Sequence, residues 1–272
     1  MERLREVYNQ YDFGSSVMDE NVKAEVEKIL EEHYAENDNA ATRKYIKEHT
    51  DLTTLTVTDN WSSVEALVKK VNTMKEKVAA ICVYPAMVEC VKETLTREGV
   101  AIAAVAGGFP ASQTFIEVKV AETALAVASG ATEVDIVMSV GKFLDGNHSD
   151  VFDELTELKE AARNAKVKVI LETGELVKAR EIKQAALLAM AAGADFIKTS
   201  TGKTAVGATL EAVCVMCHAA REFYEKSGIK VGIKVAGGVR KAEDAIKYRT
   251  IVKEILGDDW EMRFGCSKLI ED

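Results

Sequence analysis

"KVGIKVAGG", residues 230–238, alternates apolar residues with small or charged ones and then stops at a glycine pair. Alternation of period two marks a β-strand, whose successive side chains point to opposite faces. Val231, Ile233 and Val235 share one face; Gly232, Lys234 and Ala236 share the other. The same pattern recurs in "ADFIKTSTGK", residues 194–203, where Lys198 lies on one side with Phe196 and Ser200. In "EVDIVM", residues 133–138, Asp135 lies with Glu133 and Val137, while Val134, Ile136 and Met138 face away. Burying the stem of a lysine is cheap, but burying its ammonium is not. Three strands that each turn a charge to one side therefore predict a shared polar centre.

Further strand-like runs lie outward from these: "LTTLTV" (52–57), "AAICVYP" (79–85), "AIAAVAGGFP" (101–110), "VKVILETG" (167–174) and "RFGCS" (263–267). The segments between them, such as "VEALVKKVNTMKE" and "AREIKQAALLAMAAG", carry apolar residues at helical spacing. Gly99, Gly130, Gly193 and Gly228 read as glycines that close helices. Eight strand signals, the first seven each followed by a helix, predict an α/β fold closed as a (β/α)8 TIM barrel. An open doubly wound sheet is the alternative, but no G-x-G-x-x-G follows the first strand. Residues 1–48 read as an N-terminal helical extension, with Val22, Val26, Ile29 and Leu30 at helical spacing. It is expected to pack on a catalytic barrel of residues 49–272.

Composition narrows the function. The 272 residues are 47% hydrophobic and 29% charged, as in a soluble globular protein, and the net charge of −9 repels polyanions. Nucleic acid is excluded as a partner, while a small phosphorylated ligand needs only a local positive pocket. "MERLREVYNQ" lacks the apolar region of a secretory signal. The longest low-polarity run, "AALLAMAAGA" (185–194), is too short to span a membrane. Cys82, Cys90, Cys214, Cys217 and Cys266 do not form a disulfide framework in a chain this long, so a reducing cytoplasm is expected.

Two lysines and an aspartate in one cavity have a definite chemistry. A lysine amine is nucleophilic only when neutral, and desolvation and a neighbouring cation both favour that form. Lys234 can be the cation beside Lys198. A neutral lysine condenses with a carbonyl to a Schiff base, whose iminium stabilises a carbanion as an enamine, and Asp135 would move protons. The same residues also read as a buried ion pair.

"STGK" (200–203), "AGGVR" (236–240) and "FGCSK" (264–268) end the last three strands with glycine amides beside a hydroxyl or a cation. Such turns bind anions, although Gly-Gly is also a common turn. "TSTGKT" is not a P-loop, because Ile197 stands where that motif needs its first glycine. Cys214-Val-Met-Cys217-His218 matches the haem-attachment pattern C-x-x-C-H within an apolar helical segment. It reads as chance there, and equally so against zinc, since no second pair exists. Asp51, Thr53 and Cys82 are candidates to line the pocket.

"DLTTL" (51–55), "ICVYP" (81–85), "EVDIVM" (133–138), "KVILETGEL" (168–176), "ADFIKTSTGK" (194–203), "IKVAGGVR" (233–240) and "RFGCS" (263–267) closely resemble the motifs of deoxyribose-phosphate aldolases, in family order. The resemblance implies a class I aldolase that cleaves 2-deoxy-D-ribose 5-phosphate reversibly to glyceraldehyde 3-phosphate and acetaldehyde, without metal or cofactor. It places the Schiff base on Lys198, the second catalytic lysine on Lys234 and proton transfer on Asp135. Phosphate contacts fall on Thr201, Gly202, Lys203, Gly237, Gly238, Gly265 and Ser267. The partners implied are a phosphorylated sugar and an aldehyde, and a homo-oligomer is compatible with the sequence. Three positions depart from the family pattern. Val235 replaces a proline common in the family, and Lys268 replaces a second hydroxyl after Ser267. The chain ends at Asp272 without the tyrosine that assists proton transfer in some members. A transaldolase-like lysine aldolase and a silent sugar-phosphate-binding protein are the alternatives.

Overall fold

The computed structural model describes residues 5, 6, 8, 9, 11 and 19–268. The chain's last four residues, where the family resemblance looks for a terminal tyrosine, lie outside the described residues. Strands β1 (Thr50–Thr53), β2 (Ala80–Val83), β3 (Ala101–Ala106) and β4 (Glu133–Val137) pair in sequence order. They continue into β5 (Lys166–Ile170), β6 (Phe196–Lys198), β7 (Gly232–Ala236) and β8 (Met262–Cys266). All eight contacts are parallel, and β8 returns to β1 to close the barrel. At least one helix follows each of β1 to β7, as a right-handed parallel crossover requires.

The alternation read from the sequence is the alternation of the barrel wall. Val134, Ile136, Met138, Val231, Ile233 and Val235 join the large core between strands and helices. The strand register carries the opposite faces around the interior: Asp135 stands beside Lys168, Lys168 beside Phe196, and Phe196 beside Gly232. Lys198 stands beside Lys234 and Lys234 beside Arg263. Gly232 cannot carry a side chain, since a Cβ there would lie 2.3 Å from the Phe196 ring. On the β2–β3 side the interior is small and apolar, with Ala80, Cys82, Ala103 and Val105 packed together under Leu55. Charge therefore occupies one half of the interior and small side chains leave space in the other.

Several boundaries differ from the sequence expectation, and three have a visible cause. β6 ends at Lys198, short of the quoted stretch 194–203, because the Thr199 hydroxyl takes over the ladder. That hydroxyl accepts from Ala236 N–H at 3.0 Å and donates to the Ala236 carbonyl at 2.9 Å. β1 stops at Thr53 because the Asp59 carboxylate gathers the hydroxyls of Thr54 and Thr56 and the Thr56 N–H into a turn. Gly99 does not close a helix. The helix Val88–Thr94 ends at Leu95, whose N–H bonds Val91, and Gly99 sits in the turn before β3 with φ 71°. Gly130 and Gly228 do close their helices.

Helix Asp19–Asn37 lies across helices Leu210–Ser227 and Ala242–Leu256. Its buried residues are Val22, Val26 and Asn37, and Ile29 and Leu30 pack half-buried against the same core. No helix among the described residues is long and apolar enough to cross a membrane.

Candidate active site

Asp135, fully buried on β4, is the hub of the interior. Its Oδ2 accepts from Lys198 Nζ and from Lys234 Nζ, each at 2.7 Å. Its Oδ1 accepts from Lys168 Nζ at 3.1 Å. Lys234 also donates to Asp51 Oδ2 at 2.5 Å, and Lys168 to Glu133 Oε2 at 2.5 Å. Arg263 closes the network from β8, reaching Asp51 Oδ1 at 2.8 Å and Glu133 Oε1 at 3.3 Å. Strand geometry explains the convergence, because inward positions on neighbouring parallel strands stand side by side.

The charges in this cluster do not balance. Four buried cations (Lys168, Lys198, Lys234 and Arg263) meet three buried carboxylates (Asp51, Glu133 and Asp135), and the half-exposed Glu261, 3.6 Å from Arg263, is itself paired with Lys166. With every group ionised, one positive charge is left over in a low-dielectric interior, which is costly. Loss of one lysine proton removes it. Burial lowers the pKa of Lys198; Asp135 opposes that shift, and the charge of Lys234 adds to it, leaving the pKa below its ordinary value. Burial alone would lower Lys234 too, but Asp135 and Asp51 outweigh it and raise Lys234. Lys168 is raised in the same way. Burial would raise Asp135, yet Lys168, Lys198 and Lys234 hold it well below the usual carboxylate range. The cluster thus favours one neutral amine, joined through the Asp135 carboxylate to a retained ammonium. Groups of these kinds within hydrogen-bond reach can serve as nucleophile, proton relay and proton donor.

The other candidate residues surround this centre unevenly. Asp51 belongs to the charged network itself. Cys82 is buried in the interior wall, and burial and then Asp135 push its thiol up, so it remains a neutral packing group. The Thr53 hydroxyl is taken by the Asp51 carbonyl at 2.8 Å. Gly202, Gly237 and Gly238 all have left-handed φ, at 75°, 87° and 90°. The β6 and β7 turns touch, since a Cβ on Gly202 would lie 3.9 Å from Gly237 Cα. Gly265 packs under them, where a Cβ would stand 3.4 Å from Lys234 Cε. Ser267 and Lys268 are exposed just past β8.

Thr201 and Lys203 are already engaged. The Thr201 hydroxyl donates to Glu172 Oε2 at 2.5 Å and its N–H to Oε1 at 3.1 Å. Lys203 reaches across the mouth and donates to the Leu55 carbonyl. Ser200 Oγ, by contrast, is buried without a hydrogen-bond partner and lies beside Gly237.

Sequence reading passed over Lys168, Arg263 and Glu172. Lys168 had a usable signal: Val167, Val169 and Leu171 face the helices, so it shares the inward phase of Asp135. Arg263 opens a run too short to set its own phase. Glu172 acts through a left-handed backbone, φ 55°, that no local pattern announces.

Comparison with known proteins gives a concordant picture. The model of the DeoC/LacD family aldolase matches residues 46–257. A mouse protein named deoxyribose-phosphate aldolase is 42% identical over 82% of this chain and 76% of its own length. Its human counterpart is 41% identical over the same shares. Among solved structures, a tetrameric deoxyribose phosphate aldolase from Aeropyrum pernix superposes with a TM-score of 0.69 at 25% identity, covering 89% of this chain and 92% of that one.

Proposed function

This chain belongs to the DeoC/LacD family of aldolases, and from that premise we infer that it cleaves 2-deoxy-D-ribose 5-phosphate to D-glyceraldehyde 3-phosphate and acetaldehyde. The reaction is a reversible lyase step of deoxynucleoside breakdown. In this reading the neutral amine of Lys198 adds to the aldehyde carbon of the open-chain sugar, and loss of water gives the iminium. The bond between the adjacent carbon and the hydroxyl-bearing carbon beyond it then breaks. Its electron pair passes into the iminium to form an enamine, and the hydroxyl proton goes to the Asp135 carboxylate, directly or through a water. Glyceraldehyde 3-phosphate leaves. The enamine is protonated at carbon from the Asp135–Lys234 relay, and water returns to release acetaldehyde and Lys198.

The observation that carries the residue assignment is the single surplus cation of the barrel cluster, together with the lowering of Lys198 alone among its lysines. The phosphate group is assigned to the touching glycine turns of β6 and β7 with Gly265, Ser267 and Lys203. Ser200, whose buried hydroxyl has no partner and lies beside Gly237, is a further contact to substrate. A homo-oligomer belongs to this reading and is supported by the tetramer of the Aeropyrum relative. A reducing cytoplasm is supported by five cysteines that are all unpaired.

The test is reductive trapping. Acetaldehyde with borohydride is expected to add one ethyl group, mapped by mass spectrometry to Lys198 and absent from Lys198→Leu. An adduct on Lys203 or Lys234 with Lys198 unmodified reverses the assignment.

A further inference from the structure

Cys214 and His218 stand one turn apart on the same face of helix Leu210–Ser227, and Glu25 of helix Asp19–Asn37 meets them across the seam. The Cys214 sulfur, an imidazole nitrogen of His218 and a carboxylate oxygen of Glu25 all lie within 4.8 Å of one another. His218 Nε2 is 2.8 Å from Glu25 Oε1. We propose that this triad binds a divalent cation of the zinc class and clamps the N-terminal helix to the barrel.

The donor set carries the proposal. One thiolate, one imidazole and one carboxylate are the ligand types that zinc takes, at roughly 2.0–2.3 Å each, with water as the fourth ligand in an open site. Donors on a tetrahedron of that size stand about 3.3–3.8 Å apart. Closing this set therefore needs shifts of about an ångström or less, and the two half-buried side chains can supply them. A cavity of about 300 Å³ borders Glu25 and His218, with Cys214 buried behind them, and its lining includes Lys28, Glu32, His33 and Arg221. It offers an entry path and space for the water ligand. The pair suggested by C-x-x-C is not the pair used, because Cys217 points into the fully buried core and contributes no donor to the triad.

Proton balance defines what must move. Without metal, Nε2 of His218 faces the Glu25 oxygen, and Nδ1 lies 3.0 Å from Arg221 Nη2, which can only donate. The proton of the neutral ring is therefore on Nε2. On binding, the cation replaces that proton, Nδ1 takes it up, and the Cys214 thiol releases one proton to solvent. Arg221, a long and exposed side chain, must then swing away from Nδ1. It opposes the metal, so Arg221→Gln should tighten binding several-fold.

The metal-stripped, reduced full chain should be titrated with Co²⁺ as a spectroscopic probe. One equivalent is expected to give a thiolate-to-cobalt charge-transfer band that Zn²⁺ abolishes by displacing the cobalt, and Zn²⁺ is expected to raise the thermal midpoint. Cys214→Ser should lose the band and the thermal shift, Cys217→Ser should keep both, and Glu25→Gln should bind about tenfold more weakly. His218→Gln, a half-exposed position, provides a second loss variant that tests the site without a buried change. Absence of the band at stoichiometric cobalt overturns the proposal, as does a band that survives Cys214→Ser. Binding without the band would place the metal on the thiol-free group His33, Glu36 and Glu254, and would overturn it too.

Discussion

Lys119 and Lys198 are both buried lysines near the C-terminal ends of the strands, and they are held in opposite ways. Lys119 Nζ donates to Ser112 Oγ at 2.8 Å, to Ser139 Oγ at 2.9 Å, and lies 3.0 Å from Glu154 Oε2. Its three protons meet three acceptors, one of them a carboxylate that is itself buried. Lys198 instead shares a single carboxylate oxygen with Lys234, inside a cluster that holds one more cation than anion. Burial is the same, so burial does not make a lysine reactive. What differs is the number of buried carboxylates per buried cation, because Lys142, the second cation on Glu154 Oε2 at 3.5 Å, is half-exposed and solvated. Lys119 ties the loops after β3 and β4 to each other, whereas Lys198 is the residue through which its cluster reaches neutrality.

Exchanging the two roles should break the comparison most visibly. Lys119→Met leaves Glu154 without its buried cation and should cost about 3–5 kcal/mol in chemical denaturation. Acetaldehyde trapping at Lys198 should persist in the folded fraction. Lys198→Leu should abolish trapping and turnover while stability holds or rises, because the amine removed is the neutral one and the remaining three cations and three carboxylates still balance. A Lys198→Leu protein destabilised as much as Lys119→Met would show that the barrel lysine is also a structural ion-pair partner.

Lys234→Leu tests the source of the lowered pKa. Without the neighbouring ammonium, the cluster balances with Lys198 protonated, so the Lys198 pKa rises. The neutral amine then needs a higher pH, and the acid limb of the kcat/KM profile should move up. Turnover should also fall by roughly 10²–10⁴-fold through loss of the proton donor. An unmoved limb would remove Lys234 from the explanation.

Lys203→Ala addresses the far side of the site. A charge-assisted hydrogen bond to phosphate contributes about 1.5–3 kcal/mol, roughly tenfold to a hundredfold. The kcat/KM preference for the phosphorylated over the unphosphorylated sugar should drop by that factor, with acetaldehyde trapping unchanged. An intact preference would leave Lys203 as a tether to Leu55.

The smallest effect is expected from Lys168→Met. It also removes one cation from the cluster, so the acid limb should shift in the same direction. The shift should be less than in Lys234→Leu, because Lys168 bonds the other oxygen of Asp135. A larger shift than that of Lys234→Leu would invert the ranking of the two neighbours.

Much of the barrel was legible because strand phase is local. Alternation in "KVGIKVAGG" and "EVDIVM" placed Lys234 and Asp135 on the inner wall, where they stand. The early end of β6 was not legible, since it depends on the Thr199 hydroxyl finding Ala236 on the next strand. Nor was the position of the Lys203 ammonium, whose carbonyl partner lies 148 residues away in sequence.

By itself, then, the sequence determined the repeating strand–helix order, the face each strand residue takes, and the kinds of charged group sent to the interior. These follow from periodicities that span only a few residues. Which carboxylate meets which lysine, and that four cations enclose three anions, was decided by barrel closure alone. Electrostatic energy in a low-dielectric interior depends on distances between residues far apart in the chain. Which lysine gives up its proton is set by those distances.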